Sequence, residues 1–349
     1  MKIKLDSYQQ QYYDITKRII EEPHKVGSSR IGDMNSRFCE QMRIDLSKEF
    51  PIMDIKWIKF ENVVHELIWM VRGETNIRYL IDNDCHIWTD DAYRYYKEKY
   101  SPYRNDDSPQ LELFDKNMSK KVFVEKIMNR EEIKKKMGHS FAGDHYMTLY
   151  NFGDMEKIYG YQWRKFNGRT DQLQNVINSL TLTPDDRRMI ITGLNPTDLE
   201  DGNVGLPSCH NYMQFYTTIN EDGSRNLNTF CNIRSNDWFL GQPYNVVQYA
   251  LLTHMIANIV NMGVGELVIN AVDAHLYHEH FEPAKEWLRR FEAIPANDVI
   301  RIGNVYYKNT YCRADLKLND AEYVDTFKPH DFKLENYNPQ PYIKAKLLT

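Results

Sequence analysis

The chain has 349 residues, of which 42% are hydrophobic and 27% are charged, and its formal net charge is −5. This composition can form a substantial core for one large domain or two small ones, and the negative balance gives no electrostatic case for a nucleic-acid-binding protein. The sequence has no run of about 18 apolar residues and no signal-peptide pattern at its N-terminus, so we expect a soluble cytoplasmic protein with no membrane partner.

The hydrophobic pattern predicts helices and strands that mix without regular βαβ alternation, which favours an α+β fold. In chain order we predict a helix at 8–22, a strand at 35–46, a helix at 60–72 that stops at Gly73, a helix at 171–181, a strand at 188–194, paired strands at 209–218 and 226–234, a helix at 245–262 and a strand at 266–272. The stretch 92–152 differs in composition, being rich in Tyr, Lys, Asp and Asn, and includes a predicted charged helix at 126–140. We interpret it as a peripheral insertion in one compact unit.

The five cysteines are odd in number and widely spaced, without the spacing of a metal site. They are Cys39, Cys85, Cys209, Cys231 and Cys312. We expect neither a disulfide framework nor a bound metal, so a cysteine with a chemical role acts alone.

Cys209 lies in "GLPSCHNYMQFY", directly before a histidine and within a run that is otherwise typical of a buried strand. One interpretation is an inert core thiol, because free cysteines are among the most buried residues. The other is a nucleophile, which needs a nearby positive charge to attack at neutral pH. The segments "PDDRRM" and "NIRSND" place arginines on neighbouring predicted strands, which favours the second interpretation.

Several motifs along the chain occur together and in a fixed order. They are "HELIWMVRGETNIRYL", "YGYQWRKFNGRTDQLQNVI", "PDDRRMI", "LPSCHNYMQFY", "RSNDWFLGQPYNVVQYALLTHMIA", "DAHLYHEHFEP" and "YNPQPYIKAK". In these motifs and their order the chain resembles the thymidylate synthase family. The resemblance implies a single domain over 1–349 with the insertion at about 92–152, and a mixed β-sheet packed with helices, one sheet face forming a homodimer interface.

The resemblance also implies a covalent mechanism. Cys209 would add as thiolate to C6 of 2′-deoxyuridine 5′-monophosphate (dUMP), and C5 would then attack the methylene carbon of 5,10-methylenetetrahydrofolate. Several arginines would hold the phosphate dianion and favour the thiolate. The phosphate ligands implied are Arg234 and Ser235, Arg30 from a loop, and Arg187 and Arg188 of the partner subunit. Apart from the resemblance, Arg187 and Arg188 would be an ordinary solvated pair.

The remaining catalytic and substrate-binding roles follow from the same resemblance. Glu66, a carboxylate among apolar helical residues, would organise water and protons around the pyrimidine. Asn245 would recognise uracil, which favours dUMP over dCMP. His275 and Tyr277, two residues apart and so on one strand face, would contact the deoxyribose. Other implied catalytic groups are Tyr159, His210, Asp237 and Arg234, and Gln214 completes the substrate-binding set.

For the folate co-substrate, the resemblance implies that Asp237 bonds the pterin and that Trp88 forms an aromatic wall beside the transferred carbon. The C-terminal tail from Ile343 to Thr349 would close over both ligands and exclude water. Lys56, Gly241 and Tyr244 are the other implied folate-binding residues.

The chain departs from the family pattern mainly in the one-carbon half of the site. The departures are Ile31, Glu156, Lys157, Leu194, Ser208 and Val272, each at a position where the family usually has another residue. They keep a phage-associated relative under consideration, deoxyuridylate hydroxymethylase, in which water quenches the methylene intermediate. We rank synthase first because Trp88 and the tail are both present. A catalytically silent nucleotide-binding homologue is the third hypothesis, and joint retention of Cys209 and Glu66 argues against it.

Overall fold

The computed structural model describes residues 7–29, 31–100, 118–129, 152–202, 204–295, 299–302, 305–308 and 310–348. These residues form two compact units. The first comprises the described parts of Met1–Leu67, Gln172–Thr192 and Cys209–Leu348, and the second those of Ile68–Asp171 and Gly193–Ser208.

A seven-stranded mixed sheet forms the centre of the first unit, in the order β1-β2-β7-β5-β4-β3, with β6 also paired to β7. Its strands are β1 (Lys25–Ser28), β2 (Asp33–Asp45), β3 (Ile190–Thr192), β4 (His210–Ile219), β5 (Arg225–Ile233), β6 (Asn236–Asp237) and β7 (Gly263–Tyr277). β5 and β6 run parallel to β7, and every other pairing in the sheet is antiparallel. Shorter antiparallel pairs join β8 (Val299–Ile302) to β9 (Val305–Lys308) and β10 (Asp315–Leu318) to β11 (Phe332–Glu335).

Alternating side chains give the two faces of the sheet different character. In β4, Met213 and Phe215 are buried, whereas the intervening Tyr212 and Gln214 are only half-buried and Tyr216 is 63% exposed. The period of two is what a strand with one packed face requires. The face that carries Tyr212, Gln214 and Tyr216 is therefore the less covered of the two.

Among the described residues, four α-helices belong wholly to the first unit. They are α1 (Tyr8–Glu21), α7 (Gln172–Leu182), α9 (Gly241–Ile259) and α10 (Phe281–Glu292). α1 begins where the Ser7 hydroxyl accepts the N–H of Gln10, and it packs on β2. α9 is apolar nearly all round, as a buried helix is, and packs on β5 and β7. Helices on a mixed sheet confirm the predicted α+β class.

The second unit is largely helical. Its helices are α3 (Arg78–Asp82), α4 (Thr89–Tyr100), α5 (Lys120–Met128), α6 (Tyr159–Lys165) and α8 (Pro196–Glu200), and α2 (Phe60–Val71) contains the sequence boundary between the units. Gly73 follows α2 with φ of +71°, and a Cβ there would lie 3.0 Å from Arg164 Cβ, so the predicted stop at this glycine is confirmed.

The described part of the predicted insertion has its own aromatic core. Phe123 in α5 is fully buried, and its ring lies 5.3 Å from those of Tyr96 and Phe152. The predicted helix at 126–140 coincides with α5 only over its first residues, and positions 130–140 lie outside the described residues. The peripheral position of the insertion stays a prediction.

Two predicted boundaries near the site differ from the structure. α9 begins at Gly241, four residues before the predicted 245, because Pro243 is tolerated in a first helical turn although it interrupts the apolar pattern. β7 continues beyond 272 through "DAHLY" to Tyr277 because β2 pairs with it over that length, from Asp45↔Glu266 to Met34↔Tyr277. Conversely, β3 covers only three of the predicted seven positions.

Glu49 provides a test of the packing in the first unit. Its carboxylate accepts the N–H of Tyr8 (2.7 Å) and of Cys312 (3.1 Å), and burial, opposed by these two bonds, raises its pKa to about 7. Since the unfolded carboxyl ionises near 4.5, the folded state holds an extra proton between those values, and its stability falls as pH rises from about 4.5 to about 7. The shift corresponds to about 3 kcal/mol.

We expect Glu49→Gln to remove that part of the pH dependence in urea unfolding measured from pH 4.5 to 7.5. Glu40→Gln is the control, because arginines outweigh burial and lower the Glu40 pKa, so its contribution has the opposite sign. An unchanged pH slope in Glu49→Gln would contradict the prediction.

Candidate active site

Cys209 lies at one end of the β4–β5 pair. It directly precedes β4, and its carbonyl accepts the N–H of Arg234 at 2.9 Å, immediately after β5 ends. The antiparallel register, with His210 opposite Ile233, brings these two chain segments together. The predicted nucleophile and the first predicted phosphate ligand are therefore neighbours, with Ser235 next in the chain.

The other cysteines have different environments. Cys85, Cys231 and Cys312 are buried, whereas Cys209 is half-buried and Cys39 is exposed. Burial raises the pKa of the Cys231 thiol far above its usual range and that of Cys312 to about 12. A thiol held in its protonated form is a poor nucleophile, so Cys231 and Cys312 are unsuited to attack. Of the two cysteines that are not buried, Cys209 is the one whose backbone is hydrogen-bonded to Arg234.

Asp237 lies at the start of α9, beside the end of β7. In β6 it pairs with His275, and the N–H of Trp238 donates to the His275 carbonyl at 2.8 Å. One carboxylate oxygen of Asp237 accepts the N–H groups of Phe239 and Leu240, both at 3.0 Å. A Cβ at Gly241 would lie 3.4 Å from Asp237 Cβ, an ordinary van der Waals contact, so Gly241 is close to Asp237.

The first turns of α9 bring two polar side chains, Asn245 and Gln248, to partners from other elements. Asn245 hydrogen-bonds His210, and the His210 ring also lies against Tyr249, with ring centroids 5.2 Å apart. Burial, opposed by the Asn245 bond, lowers the pKa of His210 to about 4, so the ring is neutral at neutral pH. One turn along the same face, Gln248 donates to the Glu66 carboxylate at 3.1 Å.

His275 and Tyr277 are adjacent on one side of β7, as their spacing predicts. Both are nearly buried, and their ring centroids are 5.1 Å apart. A hydrogen bond with His275, opposed by partial burial, lowers the pKa of the Asp273 carboxyl. The end of β7 thus offers an imidazole and a phenol next to Asp237.

Comparisons with known proteins show the family of the chain. A family model described as thymidylate synthase matches residues 10–349. The chain belongs to the thymidylate synthase family. It is 34% identical over 344 residues to a thymidylate synthase of Listeria innocua, covering 97% of this chain and 99% of the relative. It is 35% identical over 343 residues to a thymidylate synthase of Listeria monocytogenes, with the same coverage.

Lys56, a predicted folate ligand, is almost completely buried in this family member. Its ammonium donates to the Phe239 carbonyl at 2.9 Å and lies 4.0 Å from the centre of the Phe239 ring. Burial, opposed by the charge of Asp237, lowers the Lys56 pKa to about 7. Lys56 thus supports the chain segment that carries Asp237. Tyr244 is half-buried in the first turn of α9, and Ile343 in the tail is buried.

The second unit holds the predicted aromatic residues. Trp88 is 6% exposed, and its ring lies 5.7 Å from that of Tyr159 and 5.7 Å from that of Trp69. Tyr159 begins α6. Trp88 and Tyr159, predicted for different ligands, are therefore neighbours within this unit.

The two charged departures from the family pattern are both ion-paired in the second unit. Glu156, at a positive φ, accepts from the Lys99 ammonium, and Lys157 donates to the buried Asp198. Gln162 also donates to Asp198, at 3.0 Å. Each added charge is thus balanced by an opposite charge nearby.

The remaining predicted residues lie apart from Cys209 or outside the described chain. Arg187 and Arg188 are exposed, and Arg188 pairs with Asp186. The side chain of Gln214 donates to the Arg187 carbonyl at 3.3 Å. Arg30 and Thr349 lie outside the described residues. Within the described ranges, no group of three or more acidic, histidine or cysteine side chains could hold a metal.

Sequence reasoning missed two residues beside these groups, Gln248 and His280. Gln248 interrupts the apolar run "NVVQYALLTH" three residues after Asn245, which was the available signal. His280 is the last histidine of "DAHLYHEH", and its Nδ1 lies 3.9 Å from the Asp237 carboxylate. No described helix is both long and apolar enough to span a membrane.

Proposed function

We propose that the protein transfers the one-carbon unit of 5,10-methylenetetrahydrofolate to C5 of dUMP and reduces it, so that dTMP and dihydrofolate are released. The observation that carries the proposal is the accessible Cys209 beside Arg234. The two Listeria relatives are thymidylate synthases, which supports the same reaction. We place it in the cytoplasm, that of a host cell if a phage encodes the protein.

In the proposed mechanism the Cys209 thiolate adds to C6 of the pyrimidine, which makes C5 nucleophilic. The arginine side chains that bind the nucleotide phosphate also stabilise the thiolate, because an opposite charge within a few ångströms favours the ionised thiol. C5 then takes up the methylene carbon and loses its proton, and the bond between that carbon and the folate nitrogen breaks. Hydride from the tetrahydrofolate reduces the carbon to a methyl group while the Cys209–C6 bond breaks, which restores the ring and yields dTMP, dihydrofolate and the free thiolate.

Asn245 recognises the base in this mechanism. An amide donates to O4 and accepts from N3–H, which fits uracil, and the bond between Asn245 and the neutral His210 restricts how the amide is oriented. Glu66, held by Gln248, is the group that organises water and protons near C4 and C5. His275 and Tyr277 bind the deoxyribose, and Ser235 and Arg234 bind the phosphate.

We further propose a homodimer in which Arg187 and Arg188 complete the partner's phosphate site. Arg187 lies in the turn before β3, and its carbonyl accepts from the side chain of Gln214, which is five residues along β4 from Cys209. At about 3.3 Å per residue those five residues span roughly 16 Å, which is longer than an arginine side chain. The less covered sheet face, with Tyr212 and Tyr216, is the proposed interface.

Hybrid dimers test the shared site. Cys209→Ala and Arg187→Ala subunits should each be inactive alone, whereas a mixture should regain up to about a quarter of wild-type activity, because hybrid dimers have one intact site and form statistically. Subunit exchange is verified with a mass-tagged chain, and a mixture of Cys209→Ala with itself is the control. Exchange without recovered turnover would contradict the shared geometry.

The synthase reaction is favoured over hydroxymethylation by the ion pairs of the second unit. Glu156 and Lys157 would favour attack by water only if their charges were unpaired. Glu156 is paired with Lys99, and Lys157 is paired with Asp198. Trp88 is nearly buried beside Tyr159, as expected of an aromatic wall that keeps water away.

A product assay tests this ranking. With dUMP and 5,10-methylenetetrahydrofolate, we expect dihydrofolate to be formed in step with dTMP, followed by absorbance and by chromatography of the nucleotides. Trp88→Ala should divert part of the product to 5-hydroxymethyl-dUMP, whereas Tyr323→Ala, at an exposed aromatic residue, should leave the product ratio unchanged. Nucleotide turnover with tetrahydrofolate released unoxidised would assign the protein as a hydroxymethylase instead.

A further inference from the structure

The C-terminal segment is fixed at its base by three backbone-directed hydrogen bonds. The Tyr337 hydroxyl donates to the Met53 carbonyl at 3.0 Å, and the N–H of Gln340 donates to the Asp54 carbonyl at 2.6 Å. The guanidinium of Arg290 donates to the Pro341 carbonyl at 2.6 Å. These bonds leave the residues after Pro341 to be held by other contacts.

Beyond Pro341, two successive residues of one turn hold the tail at Lys346. The Nε2 of His280 lies 2.8 Å from the Lys346 carbonyl, and the carboxylate of Glu279 lies 3.3 Å from the Lys346 ammonium. Glu279 and the Lys346 side chain are exposed, so their ion pair contributes little. His280 is completely buried, so its hydrogen bond is the stronger of the two contacts.

His280 also contacts the groups that surround the proposed ligands. Its Nδ1 lies 3.9 Å from the Asp237 carboxylate and has no hydrogen-bond partner among the described residues. Its ring centroid lies 5.8 Å from those of Phe239 and Tyr277. One imidazole therefore touches the tail through one nitrogen and lies beside Asp237 and the deoxyribose-binding Tyr277 on its other side.

We propose that His280 is a positioning residue that holds the C-terminal tail in its closed position over the one-carbon site. The consequence for catalysis rests on the proposed function, whereas the contact with the tail does not. With Nε2 donating to the Lys346 carbonyl, the tail closes against the same side chain that borders Asp237, so tail closure and folate orientation depend on one residue. Loss of this bond should let water reach the methylene intermediate.

The first experiment measures tail opening without reference to activity. Trypsin can cut after Lys344 and Lys346, both exposed, and intact-mass spectrometry measures how fast the tail is lost relative to cuts elsewhere. His280→Leu, which removes the donor but stays apolar, should lose its tail about five- to tenfold faster, the factor expected for one hydrogen bond. His280→Gln, whose amide reaches the Nε2 position, should remain close to wild type.

His278→Leu is the matched control. His278 lies in the same turn, but its Nε2 bonds Asn35 and not the tail, so tail loss should stay at the wild-type rate. If His280→Leu does not fold, His280→Asn replaces it with the same expectation, because its short amide cannot reach Lys346. Tail loss at the wild-type rate in the folded His280 variant that lacks the donor would overturn the proposal.

The second experiment measures what enzyme turnover yields. His280→Leu should raise KM for 5,10-methylenetetrahydrofolate about five- to tenfold and divert part of the product from dTMP to 5-hydroxymethyl-dUMP, while His280→Gln restores both. If His280 had only a structural role, His280→Leu would lower kcat without changing the product ratio, and His280→Gln would not restore activity. If the wild type turns over no nucleotide, the proposed function is wrong. The rate of tail loss in trypsin still tests whether His280 holds the tail.

Discussion

Cys209→Ala is expected to lower dTMP formation by roughly 10⁴-fold or more, because removal of a catalytic nucleophile leaves only binding and electrostatic effects. The same variant should fail to form a covalent adduct with 5-fluoro-dUMP, detected as a mass increase of the intact protein. Because Cys209 is half-buried and precedes β4 without packing in the core, the melting temperature should stay near that of wild type.

Cys39→Ala is the matched control for the nucleophile. Cys39 is the exposed cysteine, in β2, and its thiol donates to the side-chain oxygen of Asn270. It should keep both turnover and adduct formation. Substantial activity in Cys209→Ala would reject the covalent mechanism, and loss of dUMP binding as well as chemistry would point to a misfolded variant. A wild type that binds dUMP but neither reacts nor forms the adduct would fit the silent nucleotide-binding homologue.

Asn245→Asp is expected to change the preferred base, with kcat/KM for dUMP falling by about 100-fold or more and that for dCMP rising. Cytosine presents a donor at N4 and an acceptor at N3, the reverse of uracil, so a group that suits one base leaves buried groups unpaired against the other. Sites built on buried hydrogen bonds discriminate strongly for this reason. Kinetics with both nucleotides, at fixed folate concentration, measure the change.

Asn178→Asp tests whether an added carboxylate acts from a distance. Asn178 is exposed on α7, and its side-chain oxygen accepts from Gln174, a bond that aspartate can also accept. The base preference of this control should equal that of wild type. A wild-type preference for dCMP, or an Asn245→Asp variant that still prefers dUMP by the wild-type ratio, would contradict the assignment of Asn245.

The sequence was most informative where one local signal decided the structure. Alternating residues located β2, predicted at 35–46 and observed at Asp33–Asp45, and Gly73 marked the end of α2. Local pattern failed where tertiary pairing decided instead: β7 continues to Tyr277 because β2 lies alongside it. A local signal cannot reveal that partner, which comes from more than 200 residues earlier in the chain.

In the candidate site, too, some residues could be predicted from the sequence, whereas others are identified only by their tertiary contacts. The resemblance singled out Glu66, Asn245 and His210, and the structure brings them to neighbouring positions around α9. It did not indicate Gln248 or His280, because their importance comes from what they contact, a carboxylate from an earlier helix and the chain's own tail. Arg187 and Arg188 belong to the untested predictions, since their proposed ligand would lie in another subunit.

The central position of β7 affects how the protein is synthesised. β7 lies between β2 and β5, so a nascent chain that has not yet reached Gly263 has two separate groups of strands, and the edges of β2 and β5 that face β7 are unpaired. Such edges favour association with other unfinished chains. His275 and Tyr277 are also at the far end of β7, and the partner strand of Asp237 is the same strand. β7 must therefore leave the ribosome before the sheet can close and before the proposed nucleotide site can form.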